Sequence, residues 1–208
     1  MNIDLSWSVF PACVYEHLQS FTGKDSFYDP SFGPGVYVLV HGNGRAHQVY
    51  YLGQSSDDVG KRLKRHFKTY AQAAPQWYLP TSAEAFGRDV YETFRNGTEL
   101  MKQEEAGFAR EERARIGSKI MHNTYCGYAA LAGQETDWLV DVEAVLHLAL
   151  LKQHNLPKAG WFGDKTSVMP GRDLSVRNLY VTEIARVIIS PTLPREITLR
   201  DGVLEVRA

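Results

Sequence analysis

Two short runs of β-branched and aromatic residues, separated by turn-forming residues, most constrain how this chain can fold. The first run is residues 35–40 (GVYVLV) and the second is residues 49–54 (VYYLGQ). Between them lies Gly42-Asn43-Gly44, a sequence that favours a tight turn. The pattern predicts two antiparallel strands joined by a short loop, a β-hairpin.

A basic amphipathic helix is predicted directly after the hairpin, over about residues 59–70. Asp57-Asp58 supplies an N-cap, because aspartate oxygens accept hydrogen bonds from the first amides of a helix. Apolar residues recur at helical spacing and predict a buried stripe: Val59, Leu63 and Phe67. Arg62 and His66, four residues apart, therefore share a neighbouring face that can point back at the hairpin.

A set of short motifs spread along the chain carries a family resemblance. In chain order they are Gly35-Val36-Tyr37, Tyr51-Leu52-Gly53, Arg62, His66, Glu143 at the start of an apolar helix, Asn155 at its far end, and Pro170-Gly171-Arg172 in a Gly-rich loop. This set resembles the GIY-YIG nuclease superfamily, and it is most similar to the small type II restriction endonucleases of that superfamily. The resemblance covers about residues 33–172, and the interval between His66 and Glu143 matches no motif.

The resemblance implies an α/β (α+β) fold with a small, mixed or antiparallel three-stranded sheet flanked by helices. Residues 119–131 alternate in polarity and are expected to form the third strand, and a helix capped by Thr136 or Asp137 is expected after it. We expect one domain over residues 1–208, with its core at 33–172, a helical insertion at about 75–119 and a C-terminal extension at 173–208.

The two ends of the chain are interpreted from local patterns alone. An amphipathic helix is predicted over residues 10–21, in an arm assigned to packing and not to chemistry. Residues 179–190 are predicted to form a strand or a helix followed by a strand. Residues 197–199 and 204–206 flank Arg200-Asp201-Gly202-Val203 and are predicted to form a hairpin.

Composition sets broad limits on what the protein does. The chain has 208 residues and a formal net charge of −1, which by itself argues mildly against a polyanionic partner. Basic residues nevertheless gather between Lys61 and Lys68, so the local field can favour phosphate. Two isolated cysteines give no metal-binding spacing, and no apolar run is long enough to cross a membrane. We therefore expect a cytoplasmic protein without a membrane partner.

The resemblance implies a metal and phosphate site. Glu143 would bind Mg²⁺ (or Mn²⁺), although its residue type would equally suit an exposed helix carboxylate. Arg62 would bind a non-bridging phosphate oxygen through its planar fork. Asn155 would orient the site by hydrogen bonding, and an ordinary helix C-cap is its alternative role. His147 is interpreted as structural.

The water-activating base is expected to be a tyrosine. In the superfamily, tyrosines matching Tyr37 and Tyr51 line the site, and one of them, with its proton partly removed, is proposed to activate water. An unperturbed phenol has a pKa near 10, so it needs help from Arg62, a metal or a hydrogen-bonded partner, and His66 is the candidate partner. We favour Tyr51 as the base over its neighbour Tyr50. Side chains alternate between the two faces of a strand, so Tyr50 is expected on the face opposite to Tyr51.

Double-stranded DNA is the expected partner, cut at a short palindrome by a homodimer that carries two sites. Contacts to DNA are expected from basic residues on the helix and in the later segment: Lys61, Lys64, Arg65, Lys165, Arg172 and Arg177. Two other classes of function stay open. One is a nuclease that nicks or processes damaged, branched or mobile-element DNA, and the other is a non-catalytic nucleic-acid-binding module.

Overall fold

A seven-stranded sheet organises the protein in the computed structural model, which describes residues 1–13, 31–42, 47–71, 121–153 and 167–207. The strands are β1 (Asn2–Pro11), β2 (Gly35–Gly42), β3 (His47–Ser55), β4 (Thr124–Ala130), β5 (Leu174–Tyr180), β6 (Glu196–Arg200) and β7 (Val203–Arg207). Their order across the sheet is β3-β2-β4-β1-β5-β6-β7. The β1–β5 pair is parallel, and the other neighbouring pairs are antiparallel.

The predicted hairpin is confirmed as β2 and β3. Strand β2 is buried along its whole length, because β3 and β4 pair with its two edges and the faces are covered. A β-bulge between Leu39 and Val40 shifts the register, so that Leu39 pairs with Tyr51 while Val40 pairs with Val49. Tyr50 is the extra residue of this bulge.

The α+β class is confirmed, but the expected small three-stranded sheet is wrong. Strand β4 is the predicted third strand, and β1 then pairs with its free edge and joins three further strands. The predicted helix over residues 10–21 is wrong at its start, because Phe10 and Pro11 end β1. Its remainder from residue 14, and the predicted insertion at 75–119, lie outside the described residues.

Three helices lie in the described part of the chain, namely α1 (Val59–Ala71), α2 (Leu139–Gln153) and α3 (Glu183–Ile189). The sheet curls, and α2 packs against β2 and β3 near one edge and against β5, β6 and β7 near the other. Most side chains of α2 are buried for this reason. In the described ranges no helix combines the length and the apolar character needed to cross a membrane.

One local prediction at a helix start is corrected, and one alternative left open is decided. A 3₁₀ helix at Gly133–Trp138 precedes α2, and the Thr136 hydroxyl donates to the Gly133 carbonyl at 2.8 Å inside that turn, so neither Thr136 nor Asp137 caps α2. Of the strand and the helix that were left open for residues 179–190, the structure has the helix, α3, with Thr182 as its N-cap. The final hairpin is confirmed, and its turn places Asp201 and Gly202 at φ values of 49° and 75°, as a type I′ turn requires.

Candidate active site

Four side chains predicted to be catalytic lie together beside the β2–β3 hairpin. The Tyr37 hydroxyl lies 2.7 Å from Nε2 of His66, a hydrogen-bonding distance. The rings of Tyr37 and Tyr51 stack with centroids 5.8 Å apart, and the Tyr51 ring meets His66 edge-on at 5.0 Å. Arg62 lies close enough to both tyrosines for them to raise the pKa of its guanidinium. We call these four residues the tyrosine–histidine cluster.

Strand register brings the two tyrosines together. Tyr37 on β2 lies opposite Gly53 on β3, and Tyr51 points to the same face two residues earlier. Gly53 leaves the space for both rings, because a Cβ there would lie 2.7 Å from the Tyr37 hydroxyl oxygen and 2.9 Å from Cε1 of Tyr51. The second tripeptide, Tyr51-Leu52-Gly53, therefore needs glycine at its last position, because the two tyrosine side chains approach it closely.

Helix α1 brings Arg62 and His66 to the same place. The predicted cap is confirmed, since Oδ1 of Asp58 accepts from the Lys61 amide at 2.9 Å. The predicted apolar stripe is buried against the sheet: Val59, Leu63 and Phe67. Arg62 and His66 lie on the neighbouring face and are half-buried.

Burial controls the charge state of Tyr37. Removal from water raises the pKa of Tyr37 above its ordinary range, and the neighbouring Tyr51 raises it further, while Arg62 opposes the shift without cancelling it. Tyr37 therefore stays a neutral phenol with a proton to donate. When that proton points at His66, Nε2 is the accepting nitrogen and Nδ1 carries the imidazole proton.

The guanidinium of Arg62 lies beside the two tyrosines. Hydrogen bonding with Tyr37 raises the pKa of Arg62, although partial burial opposes the shift. Its Nε is buried and has no hydrogen-bond partner among the described residues. A buried donor of this kind costs free energy unless a ligand oxygen accepts from it. Arg62 therefore places a lasting positive charge beside the two tyrosines.

Glu143 is buried on α2, with its Oε1 3.7 Å from Nε2 of His147. Sequence reasoning assigned His147 to structure and missed this pairing, although the i,i+4 spacing was a signal for it. The described part of the chain contains no group of three side chains suited to hold a metal. A single carboxylate nevertheless fits Mg²⁺, which keeps most of its water ligands. The metal-binding role of Glu143 stays a prediction, and Asn155 lies outside the described residues.

Three basic residues expected to meet DNA lie on α1 with the cluster. Lys61 is exposed and forms an ion pair with Asp57 at 3.3 Å, Arg65 is exposed, and Lys64 is half-buried. Their contact with DNA stays a prediction. Lys165 lies outside the described residues.

Arg172 has an internal partner at the start of α2. Its Nη1 donates to the buried Asp141 carboxylate at 2.7 Å and to the Asp137 carbonyl at 3.1 Å. Its guanidinium carbon lies 4.3 Å from the centre of the Trp138 ring, a cation–π distance. These contacts give Arg172 a structural role that the sequence did not indicate. To contact a DNA base as predicted, Arg172 would have to break its ion pair with Asp141.

Arg177 belongs to a row of alternating charges across the sheet. The row consists of Asp4, Arg177, Glu196 and Arg207, one residue from each of β1, β5, β6 and β7 in direct register. Arg177 donates to both oxygens of Asp4, at 2.9 Å and 2.6 Å. Because the two signs alternate, this row supplies little net attraction for DNA. The predicted DNA contact of Arg177 stays a prediction and gains no support from this placement.

Comparison with protein-family models, with curated proteins and with solved structures finds no match to this chain. The resemblance therefore depends on the motif residues themselves and on the four that the fold brings together.

Gly53→Ala should disrupt the cluster while leaving the sheet intact. The added methyl group would collide with both tyrosine rings, so we expect the Tyr37–His66 hydrogen bond to lengthen or break. The ¹⁵N chemical shifts of the His66 imidazole, measured by NMR, report whether Nε2 still accepts a hydrogen bond. Unchanged His66 shifts in the folded variant would contradict the close contact.

Arg172→Ala and Arg177→Ala should differ in their effect on stability. Loss of Arg172 leaves the Asp141 carboxylate buried without its cation, and we expect the free energy of unfolding to fall by about 1.5–3 kcal/mol. Arg177 is exposed with its partner, so its removal should change stability much less. Urea unfolding of both variants tests this, and equal unfolding midpoints would contradict the structural role of Arg172.

Proposed function

We propose that this protein is a Mg²⁺-dependent (or Mn²⁺-dependent) DNA endonuclease that hydrolyses phosphodiester bonds, in the manner of a type II restriction enzyme. The observation that carries the proposal is the hydrogen-bonded contact of Tyr37 with His66 inside a cluster that also holds Tyr51 and Arg62. These are the residues of the family motifs, and they come from three separate elements. Their convergence in space supports the resemblance more strongly than the tripeptides do.

Hydrolysis of a phosphodiester needs an anion-binding group beside the water that attacks. Arg62 supplies this group, since it is half-buried beside the two tyrosines and its charge persists at any working pH. A non-bridging phosphate oxygen would accept from the guanidinium of Arg62. Negative charge that develops on the phosphoryl oxygens is then stabilised by a cation already fixed in place by the tyrosines.

Tyr51 is the base in this proposal, and Tyr37 passes on the proton. Tyr51 is half-buried and can reach water, whereas the fully buried Tyr37 keeps its proton. As water attacks phosphorus, its proton moves to the Tyr51 oxygen, the Tyr51 proton moves to Tyr37, and the Tyr37 proton moves to Nε2 of His66. The bond between phosphorus and the 3′ oxygen breaks, and the leaving 3′ oxygen takes a proton from solvent. The relay ends with an imidazolium and leaves both phenols neutral. No free phenolate is required, which avoids the cost of ionising a buried tyrosine.

Glu143 would hold the divalent cation by its carboxylate, with water as most of the other ligands. The cation, when bound, supplies Lewis-acid stabilisation of charge on the phosphate. A homodimer is proposed because one such site cuts one strand, and a two-fold dimer presents two sites to a palindrome.

Glu143→Ala should abolish cleavage of plasmid DNA in Mg²⁺ or Mn²⁺ while binding remains measurable by gel shift. Loss of the carboxylate removes the cation, but phosphate contacts from α1 persist. The exposed Glu205 on β7 offers a matched control, and Glu205→Ala should cut like the wild type. Full-rate cleavage by folded Glu143→Ala would remove Glu143 from the site. Nicked product alone from the wild-type protein would favour a nicking or processing nuclease over a restriction enzyme.

Arg62→Lys should slow single-turnover cleavage by at least about tenfold, and Arg62→Ala by more. Lysine keeps the charge but loses the planar fork that the two tyrosines hold. Arg200→Lys, an exposed change on β6, controls for the conversion of arginine to lysine elsewhere in the sheet. Equal rates for Arg62→Lys and the wild type would show that Arg62 contributes only net charge.

A further inference from the structure

The Asp58 carboxylate is buried and accepts more hydrogen bonds than a helix cap needs. Its Oδ1 accepts from the Lys61 amide at 2.9 Å, which is the capping bond. Its Oδ2 accepts from the Ser31 hydroxyl at 2.8 Å and from the Gly33 amide at 3.0 Å, both outside the helix. One oxygen therefore serves α1, and the other serves the segment that leads into β2.

The backbone of Asp58 is tied to a third segment. Its amide donates to the Ser55 hydroxyl at 3.1 Å, and the same hydroxyl donates to the Asp58 carbonyl at 3.0 Å. Ser55 is the last residue of β3. The Val59 amide also donates to the Gly33 carbonyl at 3.0 Å, beside the carboxylate. Asp58 thus joins the start of β2, the end of β3 and the start of α1.

Each of the three joined segments carries part of the tyrosine–histidine cluster. Tyr37 lies on β2, a few residues after the joined segment, and Tyr51 lies on β3, a few residues before its joined end. Arg62 and His66 lie on α1, after the cap. A hydrogen bond such as the 2.7 Å contact of Tyr37 with His66 weakens when its atoms separate by a few tenths of an ångström. The relative position of helix and hairpin must therefore be held closely, and Asp58 lies at the joint between them.

A second cap in the protein shows what capping alone requires. Thr182 caps α3 with one bond, accepted from the Ala185 amide at 3.1 Å. Asp58 has that bond and two more. Burial raises the pKa of Asp58, but hydrogen bonds from the Lys61 amide, the Ser31 hydroxyl and the Gly33 amide outweigh it and hold the pKa below its usual value. The carboxylate is therefore charged where it joins the segments.

We propose that Asp58 is a positioning residue of the tyrosine–histidine cluster, which sets the separation of α1 from the β2–β3 hairpin through the two oxygens of its carboxylate. The hydrogen bonds of Asp58 to the Lys61 amide, the Ser31 hydroxyl and the Gly33 amide support the positioning role. The consequence for cleavage rests on the proposed nuclease function.

Asp58→Asn separates capping from positioning. An amide oxygen can replace Oδ1 at the Lys61 amide, but an NH₂ group then faces the Gly33 amide, and two donors cannot bond to each other. We expect the ¹⁵N shift of His66 Nε2 to move towards that of an imidazole nitrogen without a hydrogen bond. We also expect kcat for plasmid cleavage to fall on the order of tenfold while DNA affinity stays near the wild-type value.

Thr182→Ala is the matched control. It removes an N-cap far along the chain and lowers stability in the same way, but it should leave the His66 shifts and kcat unchanged. If Asp58→Asn does not fold, as judged by circular dichroism, Ser31→Ala removes one donor to Oδ2 and keeps the helix cap. A smaller His66 shift in the same direction is then expected.

Three outcomes decide between the proposals. Wild-type His66 shifts and kcat in folded Asp58→Asn, or wild-type His66 shifts in Ser31→Ala, would overturn the positioning role. Equal changes in Thr182→Ala and Asp58→Asn would reduce Asp58 to a cap and overturn it as well. A His66 shift that moves as expected in a protein that never cuts DNA would sustain the positioning role and reject the nuclease function.

Discussion

The pairing of β1 with β4 on one side and with β5 on the other holds the whole sheet together. Without it, β3, β2 and β4 would form one small sheet, and β5, β6 and β7 another. A buried hydrogen bond of 2.7 Å from the Trp7 indole to the Asn178 side chain fixes the parallel β1–β5 pair, and Asn178 in turn donates to the Pro194 carbonyl at 2.6 Å. Buried polar groups satisfied in this way favour one register over its neighbours. The β2–β3 hairpin is thereby built into a sheet of seven strands.

The two tyrosines of the cluster are chemically alike but differ in environment. Tyr37 is fully buried between strands and helix, so its ionised form is disfavoured, while Tyr51 keeps access to solvent. In the proposed mechanism this difference assigns donor and base to residues of the same type, as unequal burial does for pairs of carboxylates in other enzymes. Gly53 makes the arrangement possible, because any side chain there would separate the rings.

Local patterns predicted the parts of the structure that local interactions determine. The hairpin, the Asp58 cap, the face shared by Arg62 and His66, and the type I′ turn at Asp201-Gly202 all depend on residues close in sequence. Strand β1 was missed even though Ile3, Leu5 and Trp7 alternate with polar residues, because the apolar spacing after Phe10 suggested a helix. The carboxylate partners of Arg172 and Arg177 lie 31 and 173 residues away in sequence, so no periodicity could have indicated them.

In the proposed nuclease, the distribution of paired charges would concentrate the attraction for DNA on α1. A formal net charge of −1 gives the chain no general affinity for a polyanion, and Arg172 and Arg177 are each matched by a carboxylate. On α1, by contrast, Lys61, Lys64 and Arg65 lie close to Arg62 within two turns, and Lys61 forms an ion pair with Asp57. This positive surface adjoins the Arg62 guanidinium. In the proposed nuclease, attraction of the backbone and contact with the scissile phosphate would therefore come from one helix, so that the orientation of α1 would govern both steps.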